Sequence, residues 1–230
     1  MILQRFDSVP AATAALAGQI VVALRLGIAL RGIASLALAG GRTPVPLFRA
    51  LSDAELDWSH VGITLTDERW VPSQHRGSNA ALVRTELLRG RAGAARFSPL
   101  YDGSANAAGA TGEVWRSLQP LARPIDAVVL GMGEDGHFAS LFPDDPGLPA
   151  ALDASSAPGC VAMRAPVEPH ERISLNLPAL LQARRLFLLV TGAAKRELLV
   201  AAAHRAAAAQ WPVTALLAQR HPEVEVYWAP

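Results

Sequence analysis

DAVVLGMGEDGHFASLFP, residues 126–143, is the stretch whose reading decides the fold. Residues 126–130 have the apolar density of a buried strand. Three glycines follow, Gly131, Gly133 and Gly136, and the turn delivers Asp135 and His137 to the point where a parallel strand ends. In open α/β sheets, ligands bind beyond the carboxyl ends of the strands. Histidine is the side chain that ordinarily changes charge near neutral pH. Residues 137–142 read as about two helical turns. Pro143, Asp144, Asp145, Pro146 and Gly147 then break the pattern.

A rival reading uses the same residues. Gly131-Met-Gly-Glu-Asp-Gly136 is a literal G-x-G-x-x-G after a strand, the dinucleotide-binding pattern. It stands mid-chain, and the segment after it is short for a crossover helix. The acidic residue expected about 20 positions on is Asp153, in a Ser/Ala/Pro-rich stretch and not at a strand end. A dinucleotide is therefore not expected. The plainest alternative is a tight glycine turn carrying a surface histidine.

Working outward, strands and helices alternate, the pattern of an α/β protein with a mostly parallel sheet. Helices are expected at 11–30, from Thr43 and Pro44 to Leu51, at 79–88, at 106–121 and at 194–209. Strands are expected at 35–39, 61–66, 126–130, 159–163, 172–177, 186–190 and 224–228. No repeat is visible, and the length of 230 residues suits one domain spanning 1–230. A chain of that size buries about 70–75% of its unfolded surface. Half of it is hydrophobic (51%), which fits a compact enzyme core.

Net charge is +1, so there is no electrostatic footprint for nucleic acid. Residues 11–38 are very apolar, but Arg25 and Arg31 interrupt them, and no unbroken run reaches the ~20 residues of a membrane span. Asp7, Ser8 and Pro10 look like a helix start and not like a signal peptide. Cys160 stands alone, which excludes an intrachain disulfide and fits a reducing, cytoplasmic setting. Its apolar context marks it as a buried strand residue and not a nucleophile.

Polar residues collect at four strand ends. The first strand runs into Gly40-Gly41-Arg42-Thr43-Pro44. Thr43 suits an N-cap and Pro44 a first helical turn, so the glycine amides would open onto an anion. The competing reading is an ordinary glycine turn before a capped helix. The second strand ends in Thr66-Asp67-Glu68-Arg69. Three charges beyond a buried strand are costly unless paired or used. They form either a solvated ion-paired loop, or a site where Arg69 meets a phosphate and Asp67 or Glu68 a sugar hydroxyl or a cation. The third strand carries Asp135 and His137. The fourth runs through Thr191-Gly192 into a helix with Lys195 in its first turn. A cation there opposes the helix dipole, so Lys195 needs either an anion or a path to solvent.

No metal-ligand spacing, no G-x-S-x-G nucleophile elbow and no Walker loop occurs, so no cofactor is called for. What remains is one acid–base group among anion donors. The backbone amides of residues 131–136 are candidate oxyanion donors for such a group to work beside.

Gly40 to Pro44, Asp67 to Pro72, Ser78-Asn79, Leu130 to Pro143, Arg172 to Leu180 and Gly192 to Lys195 together resemble the ordered blocks of the 6-phosphogluconolactonases. The hexosamine-phosphate deaminases are more distant relatives. The resemblance implies a three-layer α/β/α sandwich with a Rossmann-like, mostly parallel sheet. It implies hydrolysis of 6-phospho-D-glucono-1,5-lactone in the oxidative pentose phosphate pathway, by a monomer or homodimer whose partner is that small molecule. It implies His137 as general base, with Arg69 and Lys195 on the phosphate and Arg172 near the site. Asp135 would orient the imidazole or hold a hydroxyl. Arg42 departs from a frequent serine, Phe138 from a threonine, and Asn176 from a Thr-Leu-Thr pattern. The deaminases carry Asp-Glu-Tyr where this chain has Asp67-Glu68-Arg69, and an Asn-Glu-Pro type sequence where it has Ser140-Leu-Phe-Pro143. That difference favours the lactonase over a deaminase or isomerase. The presence of His137 favours an enzyme over a noncatalytic sugar-phosphate-binding regulator.

Overall fold

The computed structural model describes residues 1–204 and 211–230. Ten strands are present among them: β1 (Ile2–Arg5), β2 (Ala34–Leu38), β3 (Val61–Leu65), β4 (Asp67–Arg69), β5 (Arg96–Ser98), β6 (Ile125–Gly131), β7 (Cys160–Arg164), β8 (Glu171–Leu175), β9 (Ala183–Thr191) and β10 (Val224–Ala229). The helices are α1 (Val9–Arg31), α2 (Val45–Ser52), α3 (Asn79–Glu86), α4 (Ala107–Ser117), α5 (Leu148–Leu152), α6 (Leu177–Leu181), α7 (Ala193–Ala203) and α8 (Pro212–Leu217).

Seven strands form one sheet in the order β1-β10-β9-β6-β2-β3-β5, and every pairing is parallel. Helices flank it in a three-layer α/β/α arrangement. The central strands are buried on both faces, which is why they read as unbroken apolar runs and not as alternation. One apolar core joins sheet and helices, with Leu16, Ile20 and Leu24 of α1 fully buried in it. Helix α1 is long and apolar enough to span a membrane, yet its buried face packs on β2, β6 and β10. Its C-terminal end is pinned by a buried carboxylate. Asp126, only 1% exposed, takes Arg31 Nη2 on both oxygens at 2.6 Å and the Ser35 amide at 2.9 Å.

Several expectations are corrected. A second, antiparallel sheet of order β4-β8-β7 stands beside the first. Within it, the charged run beyond β3 is a strand and not a solvated loop. Glu68 is 0% exposed and bonded to the start of α3. Its Oε1 accepts from the amides of Arg69 (2.8 Å) and Asn79 (2.7 Å). Its Oε2 accepts from Ala80 N (2.7 Å) and Ser78 Oγ (3.1 Å). Burial pushes this carboxyl up from the ordinary range, and the amides of Asn79, Ala80 and Arg69 pull back only part of the way. Glu68 is thus a helix cap and not a sugar ligand. Glu68→Ala should destabilise the fold by about 3 kcal/mol in chemical denaturation, because it orphans several buried donors.

Helix α2 begins at Val45, its N-cap is Pro44, and no side chain caps it, so Thr43 does not play the expected role. Residues 137–142 are not helical. Ala139 has φ 47, and Leu141 N donates to Phe138 O at 3.0 Å, closing a tight turn. After the glycine turn the next helix starts only at Leu148, which removes the dinucleotide reading. Helix α4 stops at Ser117, short of Leu121. The expected extension of the helix after Lys195 to Ala209 falls partly outside the described residues. Cys160 lies in β7 as expected but is only half-buried. Burial still pushes its thiol up to about 12, so it is protonated at neutral pH.

Candidate active site

The connectivity reverses between β2 and β6. From β2 the chain proceeds to β3 and β5 on one side; from β6 it proceeds to β9 and β10 on the other. Strand-end loops on either side of such a reversal diverge and leave a crevice. A cleft of about 490 Å³ lies there, a volume that suits a small metabolite. Gly40, Gly41, Arg42 and Thr43 line it from the end of β2, Asp67 and Arg69 from the end of β3, His137 from the end of β6, and Lys195 from the turn after β9. All four anticipated strand ends therefore meet in one place.

The glycine turn after β6 is built around the histidine. Gly136 has φ 76, a conformation that favours glycine. Gly133 N donates to His137 O at 2.9 Å, and Gly136 N to Gly133 O at 3.2 Å. These two amides are occupied, so they drop out of the expected oxyanion donors. A Cβ on Gly133 would stand 2.2 Å from His137 Nδ1 and 2.5 Å from Asp135 Oδ1, so only glycine leaves room for the pair behind it. The pair is tight: His137 Nδ1 lies 2.6 Å from Asp135 Oδ1. The Phe142 ring lies 4.6 Å from the imidazole, centroid to centroid, and limits its rotation. Burial pushes the Asp135 carboxyl up, but the hydrogen bond and charge of His137 outweigh it and hold the group below the ordinary carboxylate range. Asp135 itself is not on the cleft wall; it lines a separate surface pocket behind the histidine.

Asp67 is nearly buried. Ser140 Oγ donates to its Oδ2 at 2.6 Å and Thr66 Oγ1 to its Oδ1 at 3.1 Å. Arg69 Nη1 donates to Gly77 O. Arg172 faces Arg69 across the β4–β8 pairing, 5% exposed, and it is not on the cleft wall. Its Nε and Nη1 have no partner among the described residues. Burial, followed by the charge of Arg69, lowers its pKa to about 10. Lys195 does not run out to solvent. Its Nζ donates to Met132 O at 2.7 Å, which leaves two N–H bonds at the cleft. The amides of Gly40, Gly41, Arg42 and Thr43 donate to no protein acceptor among the described residues. Sequence reasoning missed Ala139 and Asn79 on the wall, and the Ser140–Asp67 bond. The Ser78-Asn79 dipeptide was visible as a block, but nothing local tied it to the glycine loop.

A carboxylate-held histidine thus faces a cleft with three cationic side chains and free amides, an arrangement that can receive a small anion. Comparison with known proteins narrows the class. The family profile described as glucosamine-6-phosphate isomerases/6-phosphogluconolactonase matches residues 7–228. A 6-phosphogluconolactonase of Pseudomonas aeruginosa is 42% identical over 99% of this chain and 94% of its own length. One from Rhizobium meliloti is 40% identical over 98% and 97%. The crystal structure of a 6-phosphogluconolactonase from Shewanella baltica superposes with a TM-score of 0.95 at 39% identity, covering 100% of this chain and 98% of the other. The chain belongs to the glucosamine-6-phosphate isomerase/6-phosphogluconolactonase family.

Proposed function

We propose that this protein hydrolyses 6-phospho-D-glucono-1,5-lactone to 6-phospho-D-gluconate in the oxidative pentose phosphate pathway. The relatives of about 40% identity over the full length carry the choice of substrate. The observation that carries the chemistry is the 2.6 Å contact between Asp135 Oδ1 and His137 Nδ1 at the cleft. An ionised Asp135 accepts the Nδ1–H, which fixes the tautomer and leaves Nε2 as the basic nitrogen.

Water attacks C1 as Nε2 takes its proton. Charge gathers on the carbonyl oxygen of the tetrahedral intermediate. The C1–ring oxygen bond then breaks, and the imidazolium returns its proton to the leaving oxygen. The products are a carboxylic acid and a free hydroxyl, and the histidine ends as it began. The phosphate is held by Arg69, Lys195 and the free amides of Gly40, Gly41, Arg42 and Thr43, so binding energy remote from C1 fixes the ring. Asp67, locked by Ser140 and Thr66, is placed to take a sugar hydroxyl. Arg172 contributes from behind Arg69, by holding that guanidinium forward through like-charge repulsion. The continuous core supports one domain over 1–230. The reading calls for a small sugar-phosphate partner, no cofactor, a cytoplasmic location, and a monomer or homodimer.

The test is to supply freshly made phosphogluconolactone in a chelating buffer and follow acid release above the spontaneous rate, with glucosamine 6-phosphate in parallel. Lactone-dependent acid release that survives chelation is expected, with no ammonia from the amino sugar. Ammonia release, or activity that returns only with added metal, would overturn the reading.

A further inference from the structure

Asn79 is the first residue of α3 and only 2% exposed, yet its Oδ1 has no hydrogen-bond partner among the described residues. Its Nδ2 donates to the Asp67 carbonyl at 2.9 Å. That carbonyl fixes the orientation of the amide, because a flipped Asn79 would set oxygen against oxygen. The other face of the carboxamide lies on Gly40: a Cβ built there would stand 1.9 Å from Oδ1 and 2.1 Å from Cγ. Oδ1 therefore rests against the Gly40 Cα, where its available partner is a weak Cα–H donor. Asp67 and Gly40 follow the ends of the paired strands β3 and β2.

We infer that Asn79 is a positioning residue for the phosphate seat: its flat carboxamide is a spacer between the Asp67 carbonyl and Gly40 that sets where the open amides of the glycine loop stand. Other side chains fail for identifiable reasons. Aspartate would present an acceptor to the Asp67 carbonyl, leucine has no donor, and serine is too short to reach both. This inference rests on the proposed phosphate role of the glycine loop, and its test separates the two.

The experiment compares Asn79→Ala, Gly40→Ala and the double variant on the phosphorylated and unphosphorylated lactones, with thermal melts alongside. Asn79→Ala removes the spacer and one hydrogen bond. It should raise KM for the phosphorylated lactone by about tenfold while kcat moves less. The ratio of kcat/KM values should shift toward the unphosphorylated lactone by the same factor. Gly40→Ala forces the loop off the carboxamide and should lose about 100-fold in kcat/KM, or fail to fold. Adding Asn79→Ala to Gly40→Ala opens the space and should restore folding and bring kcat/KM to the level of Asn79→Ala alone. That non-additivity is the signature of direct contact. Additive losses in the double variant, or a Gly40→Ala protein that is unimpaired, would overturn the positioning role. Rescue with equal effects on both lactones would keep the spacer and overturn the phosphate seat. If neither Gly40→Ala protein folds, the lactone ratio of Asn79→Ala decides: a shift supports the inference and an unchanged ratio overturns it.

Discussion

A folded His137→Ala variant should turn over the phosphorylated lactone roughly 10²–10⁴ times more slowly than the parent protein, the usual worth of a positioned general acid–base group. The loss should fall on kcat and leave KM nearly unchanged, because the imidazole acts on the water and not on the phosphate. Asp135→Asn should fall between the two proteins. It keeps an oxygen near Nδ1 but gives up the charge that holds the tautomer. The direction of the Asp135 shift sets the window: with its carboxyl held below the ordinary range by His137, the carboxylate that accepts from Nδ1 stays charged through neutral pH. That charge is lost only as pH falls through the lowered range. Near-normal turnover by His137→Ala would remove the histidine from the mechanism, and full activity in Asp135→Asn would remove the orienting role.

The second large effect concerns the anchor. Arg69→Ala and Lys195→Ala should each lower kcat/KM for the phosphorylated lactone by about 10–150-fold, the equivalent of one charge-assisted hydrogen bond of roughly 1.5–3 kcal/mol. Hydrolysis of the unphosphorylated lactone should change much less, since that substrate never used the anchor. Part of the loss should appear in kcat, because the anchor also sets C1 against the water. Arg69→Lys should restore only part of the affinity, as lysine lacks the planar fork. The control matters because each side chain also bonds a carbonyl, Arg69 that of Gly77 and Lys195 that of Met132. Equal slowing of both lactones would assign these cations to the fold or the chemistry and not to the phosphate.

The sheet and the meeting of four strand ends were legible because buried parallel strands announce themselves as apolar runs that stop abruptly at glycine or charge. His137, Arg69 and Lys195 follow such stops directly. What was hidden depended on long-range partners. Asp67-Glu68-Arg69 carries no apolar alternation, and it becomes a strand because Glu68 is satisfied by α3 and because β8 pairs alongside. Glu68 looked as available as Asp67, and only the amides of Asn79 and Ala80 separate a cap from a cleft residue. Residues 137–142 have good helical composition, yet Phe138 is pulled into the core and bridges Met132 and Leu141, so the chain turns instead. The edge strand β1 was missed because its four residues are half-exposed and give no apolar run.

Ala139 is the one non-glycine residue with positive φ among those described, and it sits on the cleft wall between His137 and Ser140. Holding alanine there costs about 1–2 kcal/mol, which the burial of Phe138 and the Ser140–Asp67 bond offset. A selection for heat resistance alone would favour glycine at this position, relaxing the turn. The same relaxation would loosen the residues on both sides of it, His137 toward water and Ser140 toward Asp67. Durability and catalytic alignment therefore pull in opposite directions at a single methyl group, and laboratory evolution for thermostability should be screened for turnover there before anywhere else.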